Sequence, residues 1–338
     1  MIVPYIEGFH GNVFGHHSVA TVTKHFPCGG PVGNGEDSHS SYGKTATYPG
    51  NNFCHHLAPF KSAIAAGARI MIPYYSRPIG TKYEEVGFGF NKGIILNAGV
   101  DQFDGEHVAE MLVDLVWNSP VSEEHIDTSV RRFPREKLLL RLSDNPFIDP
   151  DAAERSVGDG YFVQLGAEAQ RRSCTLLTNN DTVPLRRAQW GSKFHINGFN
   201  RTYMEAPPAF PHSGAFKKSF ASGSLAFDEG EKTRQAKIYA AVSTIVDMSM
   251  KRPGAVPDGF AQAAAVIATY GSSADALLDV VFGLAKPEGR LPFDPPRPMA
   301  AVEAQFEAVP FDTEDPAFWF GDGLRYPRNY PRIRPRML

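Results

Sequence analysis

The chain has 338 residues, a formal net charge of -3, 42% hydrophobic residues and 21% charged residues. This length predicts two domains, and the composition is that of an ordinary globular protein. The slightly acidic balance argues against a nucleic-acid partner, because such proteins usually carry a basic surplus. No run approaches the roughly 18 apolar residues of a membrane helix. Residues 1–8 lack the features of a signal peptide, so the compartment stays open.

The cysteines and histidines predict no metal site. Cys28, Cys54 and Cys174 form no CxxC pair and no cluster, so we expect free thiols, or one disulfide if the chain is secreted. Adjacent histidines occur at 16–17 and 55–56, but neighbouring side chains point apart on a strand or helix. The chain also has no phosphate-binding loop and no dinucleotide fingerprint, and we predict no cofactor.

The first part of the chain alternates β-branched runs with helical patterns. The run 19–23 predicts a buried strand that ends at Lys24 and His25. The next predicted elements are a helix at 53–66, a strand at 69–75, a helix–strand step at 91–100, and helices at 106–117 and 122–142. This order is typical of parallel α/β folds. It suits a (β/α)8 barrel, whose strand ends hold the chemistry, and a doubly wound sheet equally well.

The second part begins after a stretch that reads as a linker. A helix at 166–172 leads into a strand at 174–179, and residues 180–223 show no clear period. An irregular stretch this long is unusual in a compact domain. Further predictions are a β-rich run at 240–248, an apolar run at 263–268, a helix at 275–282 and a disordered, arginine-rich tail from 325 onward.

Several short motifs occur in a characteristic order. They are TKHFPCGG at 23–30, GED at 35–37, EEVGFGFNKGI at 84–94, AGVD at 98–101, QRRS at 170–173, TLL at 175–177, PEGRLPF at 287–293 and FGDGLRY at 320–326. Together they resemble family 3 glycoside hydrolases over most of residues 6–326. Each motif alone is weakly specific, and the resemblance depends on their order.

The resemblance implies an α/β fold: an incomplete (β/α)8 TIM-type barrel followed by an α/β sandwich domain. The expected divisions are a partial barrel at 1–142, a linker at 143–165, the sandwich at 166–319, and a tail at 320–338 that starts a C-terminal β domain. The chain begins where the family's barrel is already about half built. The strand that carries the family's nucleophilic aspartate also has no counterpart between the GFGFNKG segment and Asp101.

The same resemblance assigns the candidate site residues. Lys24 and His25 correspond to the family's sugar-binding pair. Tyr74, at the end of the next strand, is a candidate for sugar binding, with core packing as the alternative. The nucleophile is missing; Asp101 and Asp104 follow the gap, and Asp101 is expected to be structural. Glu205 is the candidate general acid/base.

The expected function is a β-glucosidase-type glycoside hydrolase that hydrolyses terminal O-glycosyl bonds by a retaining mechanism, impaired by the missing segment. Its expected partner is a β-glucoside or oligosaccharide, without nucleic acid or membrane, and the oligomeric state is left open. The first alternative is a non-catalytic carbohydrate-binding remnant. The second is a truncated product without a stable function. Members of this family are often secreted.

Overall fold

The computed structural model describes residues 1–39, 43–91, 93, 101–102, 109–118, 121–186, 195–199, 224–250, 254–256 and 258–327. The chain divides into two compact units. The first comprises Met1–Asp149 with Phe306–Val309, and the second comprises Pro150–Gln305 with Pro310–Leu338. No helix in these described ranges is long and apolar enough to cross a membrane.

The first unit combines helices with parallel strand pairs. Its helices are α1 (Ile2–His10), α2 (Phe53–Ala65), α3 (Ala109–Trp117) and α4 (Glu123–Leu139), and its strands are β1 (Val22–Phe26), β2 (Thr45–Thr47), β3 (Ile70–Pro73) and β4 (Arg77–Ile79). Strand β1 runs parallel to β3, with Lys24 opposite Ile72. Strand β2 runs parallel to β4. The order β1–α2–β3 is therefore a β-α-β unit, in which a helix connects two parallel strands.

A small apolar core holds the end of β1 in place. The Phe26 ring meets the Phe60 ring of α2 edge-on, with centroids 5.4 Å apart. The buried members of the adjoining cluster are Val32, Ala46, Tyr48, Tyr74, Phe88 and Ala308. At the start of α4, the Ser122 hydroxyl accepts a hydrogen bond from the His125 amide, which satisfies one of the unpaired donors of a helix N-terminus.

The second unit is built around a four-stranded sheet. Its helices are α5 (Pro150–Ser156), α6 (Gly160–Ser173), α7 (Glu229–Ala241), α8 (Ala274–Val281) and α9 (Met299–Ala304), and its strands are β5 (Thr175–Asn179), β6 (His195–Phe199), β7 (Thr244–Ser249) and β8 (Ala265–Thr269). The strand order is β5-β8-β7-β6. Strand β5 is antiparallel to β8, whereas the pairs β8–β7 and β7–β6 are parallel.

Both faces of this sheet are buried. Ile245 and Ile267 belong to one apolar cluster, together with Val280 of α8. Val246 and Val266 belong to a second cluster, together with residues outside the strands. Because consecutive strand residues point to opposite faces, a continuous apolar run is what a strand covered on both sides requires. The apolar run predicted at 263–268 is accordingly strand β8.

Most predicted elements are confirmed, with three corrections. The strand predicted to be buried, β1, has only exposed and half-buried residues, because among the described residues it pairs with β3 alone in a two-stranded sheet. The predicted β-rich run at 240–248 starts too early, because α7 continues to Ala241 and β7 begins at Thr244. Asp228 caps α7 by accepting from the Glu231 amide, and this start signal lies upstream of the apolar run. The sequence predicts an irregular stretch at 180–223, but this stretch contains β6. Many of its other residues lie outside the described ranges. The same holds for most of the helix–strand step predicted at 91–100.

The α/β class is confirmed by these elements. The predicted linker at 143–165 contains α5 and the start of α6, whose Asp159 side chain caps the helix. The compact units divide near residue 150, and the predicted domain boundaries stay a prediction. The incomplete barrel also stays a prediction, because the described strands of the first unit are joined as two separate pairs.

Candidate functional site

The predicted sugar-binding pair lies at the C-terminal end of β1. Lys24 is exposed and His25 is half-buried. The Tyr74 amide donates to the Phe26 carbonyl oxygen at 2.8 Å, so the ends of β1 and β3 are joined just beyond this pair. The ammonium of Lys24 and the imidazole of His25 therefore project from a strand end held by backbone hydrogen bonds.

Two adjacent tyrosines follow β3 in different environments. The Tyr74 ring is 3% exposed and Tyr75 is 58% exposed. Tyr74 stacks against His25, with ring centroids 4.9 Å apart and planes 29° apart, and its hydroxyl accepts from the Ser38 amide at 3.3 Å. The Tyr74 ring thus packs against His25, whereas Tyr75 presents an open aromatic surface.

An Asp–His pair that the sequence analysis did not single out also lies beside His25. The His39 Nδ1 atom is 2.6 Å from the Asp37 Oδ1 atom, and the His39 amide donates to the same oxygen at 2.8 Å. The His39 ring lies 5.2 Å from that of His25 and 5.0 Å from that of Tyr75, between centroids. A carboxylate bonded to Nδ1 fixes the tautomer and the orientation of the imidazole, and an imidazole is the side chain that most often serves as a general acid or base.

Local electrostatics keep His25 neutral near pH 7. Burial lowers the pKa of His25, and the neighbouring His39 and Lys24 lower that pKa further. A neutral imidazole can donate one hydrogen bond and accept another, which suits a ligand rich in hydroxyl groups. Burial also raises the pKa of Tyr74, so its hydroxyl stays protonated.

Of the three carboxylates that the sequence analysis names, the structure describes Asp101. Asp101 accepts hydrogen bonds from Ser129 at 2.8 Å and from the Arg132 guanidinium at 2.9 Å, both on α4. These contacts are typical of a structural carboxylate. Glu205 and Asp104 lie outside the described residues.

In the described part of the chain, no three or more His, Cys, Asp or Glu side chains gather around a common point. The three cysteines are free.

Comparisons with known proteins agree with the motif order. No family model matches the chain. It is 49% identical over 397 residues to a protein named "Probable beta-glucosidase C" from Aspergillus flavus, covering 96% of this chain and 63% of that protein. It is 47% identical over 401 residues to "Beta-glucosidase C" from Emericella nidulans, covering 97% of this chain and 65% of the relative. The resemblance to the β-glucosidases of glycoside hydrolase family 3 is thus confirmed.

Solved structures show the same fold at low identity. A β-glucosidase from Listeria innocua in complex with glucose has a TM-score of 0.73 at 14% identity, covering 96% of this chain and 60% of that one. An exo-1,3/1,4-beta-glucanase from a Pseudoalteromonas species has a TM-score of 0.67 at 16% identity, covering 98% of this chain and 53% of that one.

This chain spans just under two thirds of the length of the fungal relatives. The comparison with the Aspergillus flavus protein runs over 397 residues, more than the 338 in this chain. The relative therefore carries, within the matched range, segments for which this chain has no residues. This agrees with the expectation that an internal segment is missing.

Proposed function

We propose that this chain is a glycoside hydrolase of the β-glucosidase type, acting on the terminal β-linked glucose of a β-glucoside or oligosaccharide. The observation that carries the proposal is the placement of Lys24 and His25 at the end of β1. The chain in which they lie is 47% to 49% identical to proteins named β-glucosidase C.

The sugar is held by groups that project from strand ends. The Lys24 ammonium donates to hydroxyl oxygens, and neutral His25 both donates and accepts. Tyr75 offers an exposed ring to the apolar face of a sugar, because a tyrosine combines an apolar body with a polar tip. A direct sugar contact by Tyr74 stays a prediction; its burial favours the packing alternative, in which it holds the ring of His25 in place.

The proposed chemistry is a retaining double displacement. A carboxylate attacks the anomeric carbon while an acid protonates the departing oxygen, and water then hydrolyses the glycosyl-enzyme. Glu205 is the proposed acid/base. The Asp37–His39 pair is a second proton-carrying group, and it lies beside His25. Because the family's nucleophile has no counterpart, we propose that turnover by this chain is impaired.

A second function, non-catalytic carbohydrate binding, is favoured by the two hydrogen bonds that Asp101 accepts. Asp101 is the first carboxylate after the missing segment, and it is engaged by Ser129 and Arg132 of α4. A carboxylate held in this way is a poor replacement nucleophile, because attack would require it to leave both partners. Sugar binding through Lys24 and His25 does not require a nucleophile.

The proposed architecture is an incomplete (β/α)8 barrel followed by an α/β sandwich domain. The β-α-β unit formed by β1, α2 and β3 supports the barrel, and the sheet of β5 to β8 supports the sandwich. The proposed boundaries stay at 1–142, 143–165 and 166–319, with a tail at 320–338.

The test combines binding and turnover on the full chain. Glucose binding is measured by calorimetry, and hydrolysis is measured with a chromogenic aryl β-glucoside. The variants are Lys24→Ala and, as a matched control, Lys61→Ala, which removes an exposed lysine of α2. Binding and hydrolysis that are lost only in Lys24→Ala support the enzyme.

Binding without hydrolysis supports the non-catalytic function. A folded chain that binds no glucose contradicts both proposals. The variant Glu205→Gln separates the two proton-carrying candidates from each other, since it should abolish any residual turnover only if Glu205 is the acid/base.

A further inference from the structure

Cys28 and His56 form a pair next to the candidate site that the proposed function does not use. The Cys28 Sγ atom is 3.3 Å from the His56 Nδ1 atom. The Cys28 residue follows β1, and His56 lies in the first turn of α2, so the pair joins two segments that are distant in sequence. Both side chains are half-buried.

The surroundings of His56 determine that its Nδ1 atom faces the Cys28 thiol. The His56 Nε2 atom lies 3.4 Å from the Ala308 carbonyl oxygen, which can only accept a hydrogen bond. The proton of the neutral ring therefore resides on Nε2, and Nδ1 presents its lone pair to Cys28. A backbone carbonyl on the far nitrogen is the usual outer partner of a metal-binding histidine, because it fixes the tautomer and the ring orientation.

The sulfur and nitrogen atoms have nearly the separation that one cation requires. Zinc binds sulfur at about 2.3 Å and histidine nitrogen at about 2.0–2.1 Å, so two ligands in a tetrahedron lie about 3.6 Å apart. The observed 3.3 Å requires only a small opening of the pair. Burial raises the pKa of the Cys28 thiol, and the Gly30 amide, which donates to the sulfur at 3.1 Å, opposes that shift. This amide therefore favours the thiolate form that a metal needs.

A glycine leaves space beside the two ligand atoms. A Cβ atom placed on Gly30 would lie 3.5 Å from the Cys28 sulfur and 3.7 Å from the His56 Nδ1 atom. This position is therefore adjacent to both ligand atoms, and in the native chain no side chain occupies it.

The ring of a buried tyrosine lies near His56. Tyr48 is 8% exposed, and its hydroxyl has no hydrogen-bond partner among the residues that the structure describes. Its ring centroid is 6.0 Å from that of His56. An unsatisfied buried hydroxyl is unfavourable, and a cation or its bound water would provide a partner.

We propose that Cys28 and His56 bind a thiophilic divalent cation of the zinc class, with water or the Tyr48 oxygen completing the coordination. On binding, the Cys28 S–H bond breaks, the sulfur–metal bond forms and the proton passes to solvent. No change of oxidation state is involved. The proposal is independent of sugar hydrolysis.

The probe is Co²⁺, followed by displacement with Zn²⁺, on the full reduced chain. Thiolate bound to Co²⁺ gives a near-ultraviolet charge-transfer band, so the readout reports sulfur ligation directly. We expect one equivalent of Co²⁺ to produce this band. Cys28→Ser and His56→Gln should each weaken binding about tenfold or more, because even loss of an outer partner typically costs about 10- to 100-fold in affinity.

Two exposed neighbours on α2 provide matched controls. Cys54→Ser and His55→Gln remove a thiol and an imidazole that lie two positions and one position before His56. Both variants should retain the band. Gly30→Ala keeps both ligands but fills the space beside them, so we expect it to weaken binding as well. Circular dichroism verifies that each variant is folded.

Three results would overturn the proposal. One is the absence of the band in the folded native chain. Another is a band that survives in both Cys28→Ser and His56→Gln. The third is a band that disappears in Cys54→Ser, which would assign the sulfur to the exposed thiol.

Discussion

Tyr74 and Tyr75 are consecutive residues with opposite burial, and substituting each in turn tests how the candidate site is supported. The Tyr74 ring packs against His25 and lies in the apolar core of the first unit. Tyr75 is mostly exposed. We therefore expect Tyr74→Ala to destabilise the fold and Tyr75→Ala to leave it nearly unchanged.

The magnitudes follow from the contacts that each change removes. Truncating a buried aromatic ring to alanine typically costs about 3–5 kcal/mol, because packing and burial are lost and a cavity is left. Tyr74→Phe keeps the ring and removes only the hydroxyl that accepts from the Ser38 amide at 3.3 Å. A neutral hydrogen bond contributes about 0.5–1.5 kcal/mol, and this long bond should fall at the lower end. For Tyr75→Ala we expect a change within about 0.5 kcal/mol, as for other surface substitutions.

The assay is urea unfolding followed by circular dichroism, combined with calorimetric titration of glucose. Tyr74→Ala should lower both the free energy of unfolding and the affinity for glucose, because His25 loses the ring that positions it. Tyr74→Phe should retain most of both. Tyr75→Ala should affect only the affinity.

Two results would refute this reasoning. If Tyr75→Ala destabilises the fold as much as Tyr74→Ala, the assignment of buried and exposed rings is wrong. If Tyr74→Phe costs as much as Tyr74→Ala, the hydroxyl rather than the ring supports the site.

Three further predictions concern stability. Ile267 is fully buried in the sheet of the second unit, so Ile267→Ala should cost about 2–5 kcal/mol and Ile267→Val only about 0.5–1.5 kcal/mol in urea unfolding; equal costs would contradict tight packing there. Asp228→Ala removes the N-cap that accepts from the Glu231 amide at 2.8 Å, and should cost about 1 kcal/mol, whereas an unchanged midpoint would show that the cap contributes nothing. The pKa values of His25 and His56 are lowered in the folded state, chiefly by burial, so the unfolded chain binds protons more readily. The stability that the two neutral histidines contribute to the fold is complete above the unfolded pKa of about 6.5 and is lost as the pH falls below it. In a pH series of unfolding midpoints, the midpoint of His56→Gln should therefore decline less at low pH than that of the native chain.

Several features followed from the sequence because their causes are local. The β-branched run before Lys24 and His25 predicts a buried strand that ends at these residues. Strand β1 does end one residue beyond them, although its residues are exposed or half-buried. Helix α2 and strand β8 followed from periodicity and from a continuous apolar run. Such patterns depend only on neighbours along the chain.

Features that depend on packing between distant segments were decided by the tertiary structure. Two adjacent tyrosines of identical chemistry became one core residue and one exposed ring, because only Tyr74 faces His25 and the core. The contact between Cys28 and His56 links positions 28 residues apart, and no spacing rule for a single element predicts it. The Asp37–His39 pair is local in sequence, yet its place beside His25 results from how its loop folds over the end of β1. The sequence thus determined the resemblance to β-glucosidases and the strand that carries the candidate site, whereas the contacts around that site depend on tertiary packing.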